Sequence, residues 1–103
     1  MPEYLYQLKL VDRLQEETAW TEADAAAVDR HVGHLQKLLD AGILMLAGRT
    51  LNEPADRIGI VIFRAADDEE ARRCMESDPA IVEGVMTARL FPYRVAFMEG
   101  REG

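Results

Sequence analysis

The sequence predicts a small α+β domain, and three observations carry that expectation. The first ten residues alternate with the period of a strand. A long segment after residue 21 carries apolar residues at helical spacing. Two short apolar runs, 43–47 and 58–63, are bounded by glycine and charged residues and are too short for helices.

Residues 4–10 put Tyr4, Tyr6, Leu8 and Leu10 on one face and Leu5, Gln7 and Lys9 on the other, as a strand with one buried face requires. Residues 11–20 are mixed and polar. They read as a connection that folds the lone tryptophan, Trp20, back onto the domain. Thr21 carries the short hydroxyl of a helix N-cap, with Glu22 and Asp24 in the first turn, where free N–H groups favour negative charge. The helix is expected to run to about Asp40 and to stop at Gly42, a residue free to adopt a left-handed C-cap. Its expected apolar stripe is Val28, Val32, Leu35, Leu38 and Leu39. Residues 43–47 form the second strand. Residues 48–57, with Asn52, Pro54 and Asp56, read as a loop between paired strands. Residues 58–63, rich in branched side chains, form the third strand. Asp67 or Asp68 caps a second helix that ends near Glu76. Asp78-Pro79 breaks it, and residues 80–86 make a short further turn of helix. The last strand is expected over 87–98. Pro92 lies inside it, has no N–H to donate, and so marks an edge or a bulge. The tail from Glu99 is expected to fray.

The order strand, helix, strand, strand, helix, strand is that of the split βαβ, or ferredoxin-like, fold. It implies a four-stranded antiparallel sheet with both helices on one face. A chain of 103 residues is long enough for one such domain and too short for two. A domain of this size has little apolar surface to spare, and the helix-free face of its sheet needs a cover. A homodimer paired through the sheet faces is therefore expected.

Composition narrows the function. Nineteen acidic residues against twelve basic ones give a net charge of −7, which argues against a nucleic-acid partner, since phosphate backbones need a clustered basic surface. Arg72 and Arg73 are only a pair, flanked by Glu69, Glu70 and Glu76, and read as a solvated helix face. No run approaches the ~18 apolar residues of a membrane span, and the N-terminus lacks the basic-then-apolar pattern of a signal peptide. Cys74 is the single cysteine. It can form no internal disulfide and completes no structural zinc spacing, so a reduced, cytoplasmic setting is expected. There is no glycine-rich phosphate loop and no G-x-S-x-G elbow, and no cofactor is expected.

Several segments resemble one family. His31-Val32-Gly33-His34-Leu35-Gln36-Lys37-Leu38 resembles the H-L-x-x-L-x-x-L helix of YciI-like proteins. Leu44-Met45-Leu46-Ala47-Gly48 is similar to that family's second strand, and Ile58-Gly59-Ile60-Val61-Ile62-Phe63 to its third. Asp78-Pro79 followed by Val82 and Gly84 resembles its D-P-x-x-x-x-G turn. Phe91-Pro92-Tyr93 is similar to its terminal strand. The resemblance covers residues 4–97 and rests on the order of the motifs rather than on any one of them. It implies a dimeric α/β barrel, with each sheet packed face to face on its mate, and a pocket holding a His and an Asp, matched here by His31 and Asp78. It also implies kinship with a few dehydrochlorinases of chlorinated hydroxyquinones. The sequence departs from the pattern in a longer connection at 11–20, in His34, and in Leu90 and Phe91 before Pro92.

Two readings of the candidate residues stand side by side. His31 falls on the apolar side of its helix, one turn after Val28 and one before Leu35. An imidazole there, held by Asp78, suits general acid/base work on a small molecule, as in isomerisation or elimination. On the plainer reading Asp78 only caps the helix that follows and His31 bonds a backbone carbonyl. Arg49, at a strand end, suits an anionic ligand group or an ion pair with Glu53 or Asp56. Tyr6 suits packing or the pocket wall. His34, three residues from His31, suits a ligand contact or an interface, with no carboxylate on that face to complete a metal site. Cys74 reads as an inert thiol. The function expected is thus a small-molecule enzyme of the isomerase or lyase type. The alternative is a non-catalytic dimeric module that binds a small ligand or serves as an accessory.

Overall fold

The structure, a computed structural model, describes residues 1–100. It is the α+β, ferredoxin-like architecture: β1 (Glu3–Leu10), α1 (Glu22–Asp40), β2 (Leu44–Arg49), β3 (Gly59–Arg64), α2 (Asp68–Glu76), α3 (Pro79–Val82) and β4 (Met86–Tyr93). The sheet order is β2-β3-β1-β4 with every pair antiparallel. The helices lie on one face.

β1 is central because its alternation is the cleanest in the chain. Tyr4, Tyr6 and Leu8 are buried towards the helices, and with Val61 and Phe63 of β3 they form the floor of the larger core cluster. Tyr6 packs edge-on against Phe63, ring centroids 5.5 Å apart. Ala71 and Met75 of α2 close that cluster from above. A second, smaller cluster of Leu14, Ala27, Ala80 and Val85 joins α1 and α3 to the connection after β1. That connection folds as two short 3₁₀ turns, Asp12–Gln15 and Glu17–Ala19. It is fastened rather than loose. Both terminal guanidinium nitrogens of Arg13 reach the Asp24 carboxylate at 2.9 Å, and Trp20 Nε1 donates to the Leu14 carbonyl at 2.9 Å.

The ends of α1 follow the sequence closely. The Thr21 hydroxyl accepts from the Asp24 N–H while Asp24 accepts from the Thr21 N–H, a reciprocal capping box. At the other end Gly42 takes φ +76°. Its N–H bonds to Leu39, and the Ile43 N–H bonds to Leu38, which satisfies two orphan carbonyls of the last turn.

Four expectations need correction. The buried line of α1 runs through Asp24, Ala27 and His31, continued by the half-buried Leu35 and Leu38. Val32 and Leu39 are 59 % and 49 % exposed, because they flank that line and overhang β2, an edge strand with no neighbour beyond it. β2 extends to Arg49, beyond the expected end at Ala47, and contains a bulge: Leu44 pairs with Phe63 but Leu46 pairs with Ile62, so Met45 is the extra residue. The last strand stops at Tyr93 instead of Met98. Tyr93 pairs with Glu3, where β1 begins, so no ladder partner remains, and the Val95 N–H donates to the Glu3 carboxylate instead. The helix expected over 80–86 is confined to Pro79–Val82, and Met86 already belongs to β4. Pro92 sits in β4, the other edge strand, where a missing N–H is tolerated. The tail expected to fray falls partly on residues 101–103, outside the described residues.

The helix-free face carries one apolar row straight across the strands, Leu46–Ile62–Leu5–Phe91, set by the register. Leu46 is 47 % exposed and Phe91 36 %.

Gly42→Ala forces a side chain into a left-handed conformation and should lower stability by about 1 kcal/mol. Urea unfolding of the two proteins measures this directly, and an unchanged midpoint would mean that the helix end relaxes to another cap.

Candidate active site

The site is built around a carboxylate with no access to water. Asp78 ends the turn after α2 and is fully buried. Its carboxylate accepts three bonds. The Ala80 N–H donates to Oδ1 at 2.9 Å and the Tyr6 hydroxyl donates to Oδ2 at 2.7 Å. His31 Nδ1 lies 2.7 Å from Oδ1 and 2.9 Å from Oδ2. His31 and Asp78 are 47 residues apart in sequence. They meet because α1 packs along α3: His31 reaches Asp78 at the start of α3, and Arg30 pairs with Glu83 at its end. For Asp78 the two readings are not exclusive, since the same carboxylate caps α3 and meets the imidazole; His31 bonds that carboxylate rather than a backbone carbonyl.

Burial pushes the Asp78 carboxyl up. The hydrogen bonds from His31, Tyr6 and Ala80, together with the His31 charge, outweigh it, and the net position lies below the ordinary 3.8. Asp78 is therefore an anion at neutral pH, acceptor only, so the imidazole nitrogen facing it must carry the proton. In the neutral form of the imidazole the lone pair is then on Nε2, the nitrogen that does not face Asp78. Burial, then the Asp78 charge and hydrogen bond, push the Tyr6 phenol far above its usual range, so it stays a donor.

A cavity of about 470 Å³ opens on the other side of His31, between α1 and the sheet. Leu8, Val28, Leu35, Val61 and Met86 form apolar walls, Trp20 closes one side, and Arg49 and Arg57 stand in the lining towards the β2–β3 hairpin. The space exists because the helix-facing positions there are small. Ala47 pairs with Val61, and Gly59, which has no side chain, pairs with Arg49.

The expected site residues separate accordingly. His31 and Arg49 line the cavity. Asp78 lies behind His31. Tyr6 is also behind it, wholly buried, and touches the carboxylate rather than the cavity. His34 is half-buried outside the cavity lining, with Nε2 enclosed and unpartnered. Arg49 forms no ion pair with Glu53 or Asp56 among the described residues. Arg57 was not singled out by the sequence, nor was Tyr6 as the support of Asp78. The buried parity of Tyr6 was visible there; its partner was not. Burial, then the Asp78 and Glu70 charges, raise the Cys74 thiol, which keeps it protonated. No group of three or more metal-ligating side chains occurs among the described residues, and none of their helices is long and apolar enough to cross a membrane.

The fold and site together define a ferredoxin-like domain with a buried carboxylate–imidazole pair opening on an apolar cavity. The chain belongs to the YCII-related domain family, whose profile matches residues 7–92. Among solved structures it is similar to 5-chloro-2-hydroxyhydroquinone dehydrochlorinase (TftG) from Burkholderia phenoliruptrix AC1100 in complex with 2,5-dihydroxybenzoquinone. The TM-score is 0.59 at 16 % identity, over 89 % of this chain and 93 % of that one. SnoaB, a cofactor-independent oxygenase from Streptomyces nogalater, aligns with a TM-score of 0.47 and 7 % identity, over 96 % of each chain. No curated protein matches the sequence.

A carboxylate held below its unfolded value stabilises the fold fully above pH about 4, and that contribution is lost as pH falls through the lower folded value. Tyr6→Phe removes one of its donors. It should cost about 2 kcal/mol at neutral pH and move the onset of acid unfolding to higher pH, read from urea titrations across pH 2–7. An unmoved acid limb would show that the phenol does not hold the carboxylate.

Proposed function

We propose that the protein is a small-molecule enzyme of the isomerase or lyase class, with His31 as general acid/base and Asp78 and Tyr6 as its positioning residues. One observation supports this reading: His31 Nδ1 lies 2.7 Å from the buried Asp78 carboxylate while the same imidazole lines the cavity, an arrangement that favours the tautomer with its basic nitrogen turned away from Asp78. His31 Nε2 takes a proton from an acidic C–H or O–H of the bound molecule, and Asp78 balances the imidazolium that forms. Returning the proton to a different carbon completes an isomerisation. If a leaving group departs from the adjacent carbon instead, a double bond forms, the proton and the leaving group are lost together, and the reaction is an elimination. Dehydrochlorination, the reaction in the name of the TftG enzyme, is of that second type. The likeness to that enzyme is one of fold, and the dyad is what supports the chemistry here.

The same reading includes a homodimer through the helix-free sheet face. Its support is the apolar row Leu46–Ile62–Leu5–Phe91, a continuous stripe of the kind that marks an interaction surface.

His31→Ala should lower kcat on an accepted substrate by about 10²–10⁴-fold when assayed well below its melting temperature, which should itself fall because the buried Asp78 carboxylate loses a partner. Asp78→Asn presents an amide to Nδ1, favours the wrong tautomer, and should lower kcat comparably. Turnover that survives both substitutions would leave a binding module as the function. For the dimer, sedimentation of the native chain should give twice the 11.6 kDa monomer mass, and Leu5→Asp should return it to the monomer. A native chain that sediments as a monomer at micromolar concentration would remove that part of the reading.

A further inference from the structure

The bulge in β2 has a consequence for what the cavity can hold. Without it, strand alternation from Leu44 would turn Arg49 to the helix-free face. With Met45 inserted, Ala47 pairs with Val61 and Arg49 with Gly59, and both turn to the helix side. Arg49 is thereby turned to the cavity side, where it joins the lining, opposite Gly59, against whose bare backbone Leu8 packs. On the far arm of the hairpin, Arg57 lines the same cavity. Two bonds from its guanidinium to the Asn52 carbonyl, at 3.0 and 3.3 Å, hold it in place.

The charges around this space run against the rest of the chain. The molecule carries a net charge of −7, yet among the described residues no acidic side chain lines the cavity, and the ionisable groups of its lining are His31, Arg49 and Arg57. Neither arginine forms an ion pair among the described residues. A guanidinium is always charged and offers a planar fork matched to a planar anion. Two of them beside walls of Leu8, Val28 and Trp20 describe a molecule with an apolar body and one charged end.

We propose that the cavity takes a small apolar monocarboxylic acid, its carboxylate held by Arg49 and Arg57 at the hairpin and its apolar body laid along Trp20 and Leu8 towards His31. This rests on the reading of the cavity as the active site and adds the substrate class to it. Held in this way, the acid is anchored at one end while the bond to be deprotonated lies at the other. The arginines are binding groups that take no part in the proton transfer.

Trp20 is the only tryptophan and lines the cavity, so its fluorescence reports occupancy at this place. The probes are phenylpropanoate and its neutral amide, phenylpropanamide, titrated into the native protein. The carboxylate should perturb Trp20 saturably and bind at least about tenfold more tightly than the amide, with a preference that weakens as salt is added. Arg49→Gln should abolish most of that preference. Arg49→Lys, which keeps the charge but not the fork, should restore part of it. Arg57→Gln should act like Arg49→Gln, with the melting curve checked because Arg57 also braces its loop. Equal affinity for acid and amide would overturn the proposal. So would a preference that survives both arginine substitutions, displacement by inorganic phosphate as readily as by the acid, or no saturable response to either probe. Binding alone is measured. A lost carboxylate preference therefore leaves the His31 chemistry standing, and a dispensable His31 leaves the carboxylate preference standing.

Discussion

The Asp78 carboxylate is the point on which the rest of the molecule is assembled. An ion without water is tolerated only when protein groups replace its hydration. Here the replacements come from three places in the fold. The phenol of Tyr6 rises from the central strand, the imidazole of His31 descends from α1, and the Ala80 N–H comes from the turn that Asp78 itself begins. Satisfying one buried charge thus fixes the position of α1 relative to β1 and of α3 relative to both. The histidine is oriented as part of the same arrangement, so a group with a structural task also sets the geometry of the candidate chemistry.

The cavity beside His31 follows from how the two core clusters divide the interior. The larger cluster, centred on Tyr6 and Phe63, fills the space under α2. The smaller, with Leu14, Ala27 and Val85, fills the space where the 11–20 connection, α1 and α3 converge. Between them, over the ends of β2 and β3, the inward residues include the small Ala47 and Gly59, which leave a gap lined also by Val61 and Arg49. The connection bounds that gap through Trp20, itself pinned by its bond to the Leu14 carbonyl and by the Arg13–Asp24 pair behind it. The connection at 11–20 has therefore become, through Trp20, a wall of the cavity.

Membership of the YCII-related family and the likeness to a dehydrochlorinase agree on a common scaffold. At 16 % identity the scaffold is what is shared. The chemistry proposed here depends on side chains of this chain: a histidine with one committed and one free nitrogen, in apolar surroundings that strengthen electrostatic effects. The two faces of the sheet differ accordingly, one lining the candidate site under the helices and the other carrying the apolar row proposed as the dimer face.

Local rules made much of the fold legible. Tyr4, Tyr6 and Leu8 announced the central strand by alternation, Thr21 and Gly42 marked the ends of α1, and Pro92 marked an edge strand, because each of these signals is a property of a few neighbouring residues. Errors arose where a distant partner decided the outcome. The last strand ends where β1 runs out of residues to pair with. Val32 and Leu39 are exposed because the strand beneath them is an edge.

The candidate site divides in the same way. From the sequence alone came the order of elements, the apolar-side position of His31 and the capping chemistry of Asp78, since helix periodicity and cap preference are local. Only the tertiary structure decided that these two residues touch, that Tyr6 supports the carboxylate rather than lining the pocket, and that Met45 is the bulged residue that turns Arg49 inward. Each of those facts is a register or a contact between segments far apart in the chain. Such pairings are fixed by the packing of the whole domain, and no short stretch of sequence encodes them.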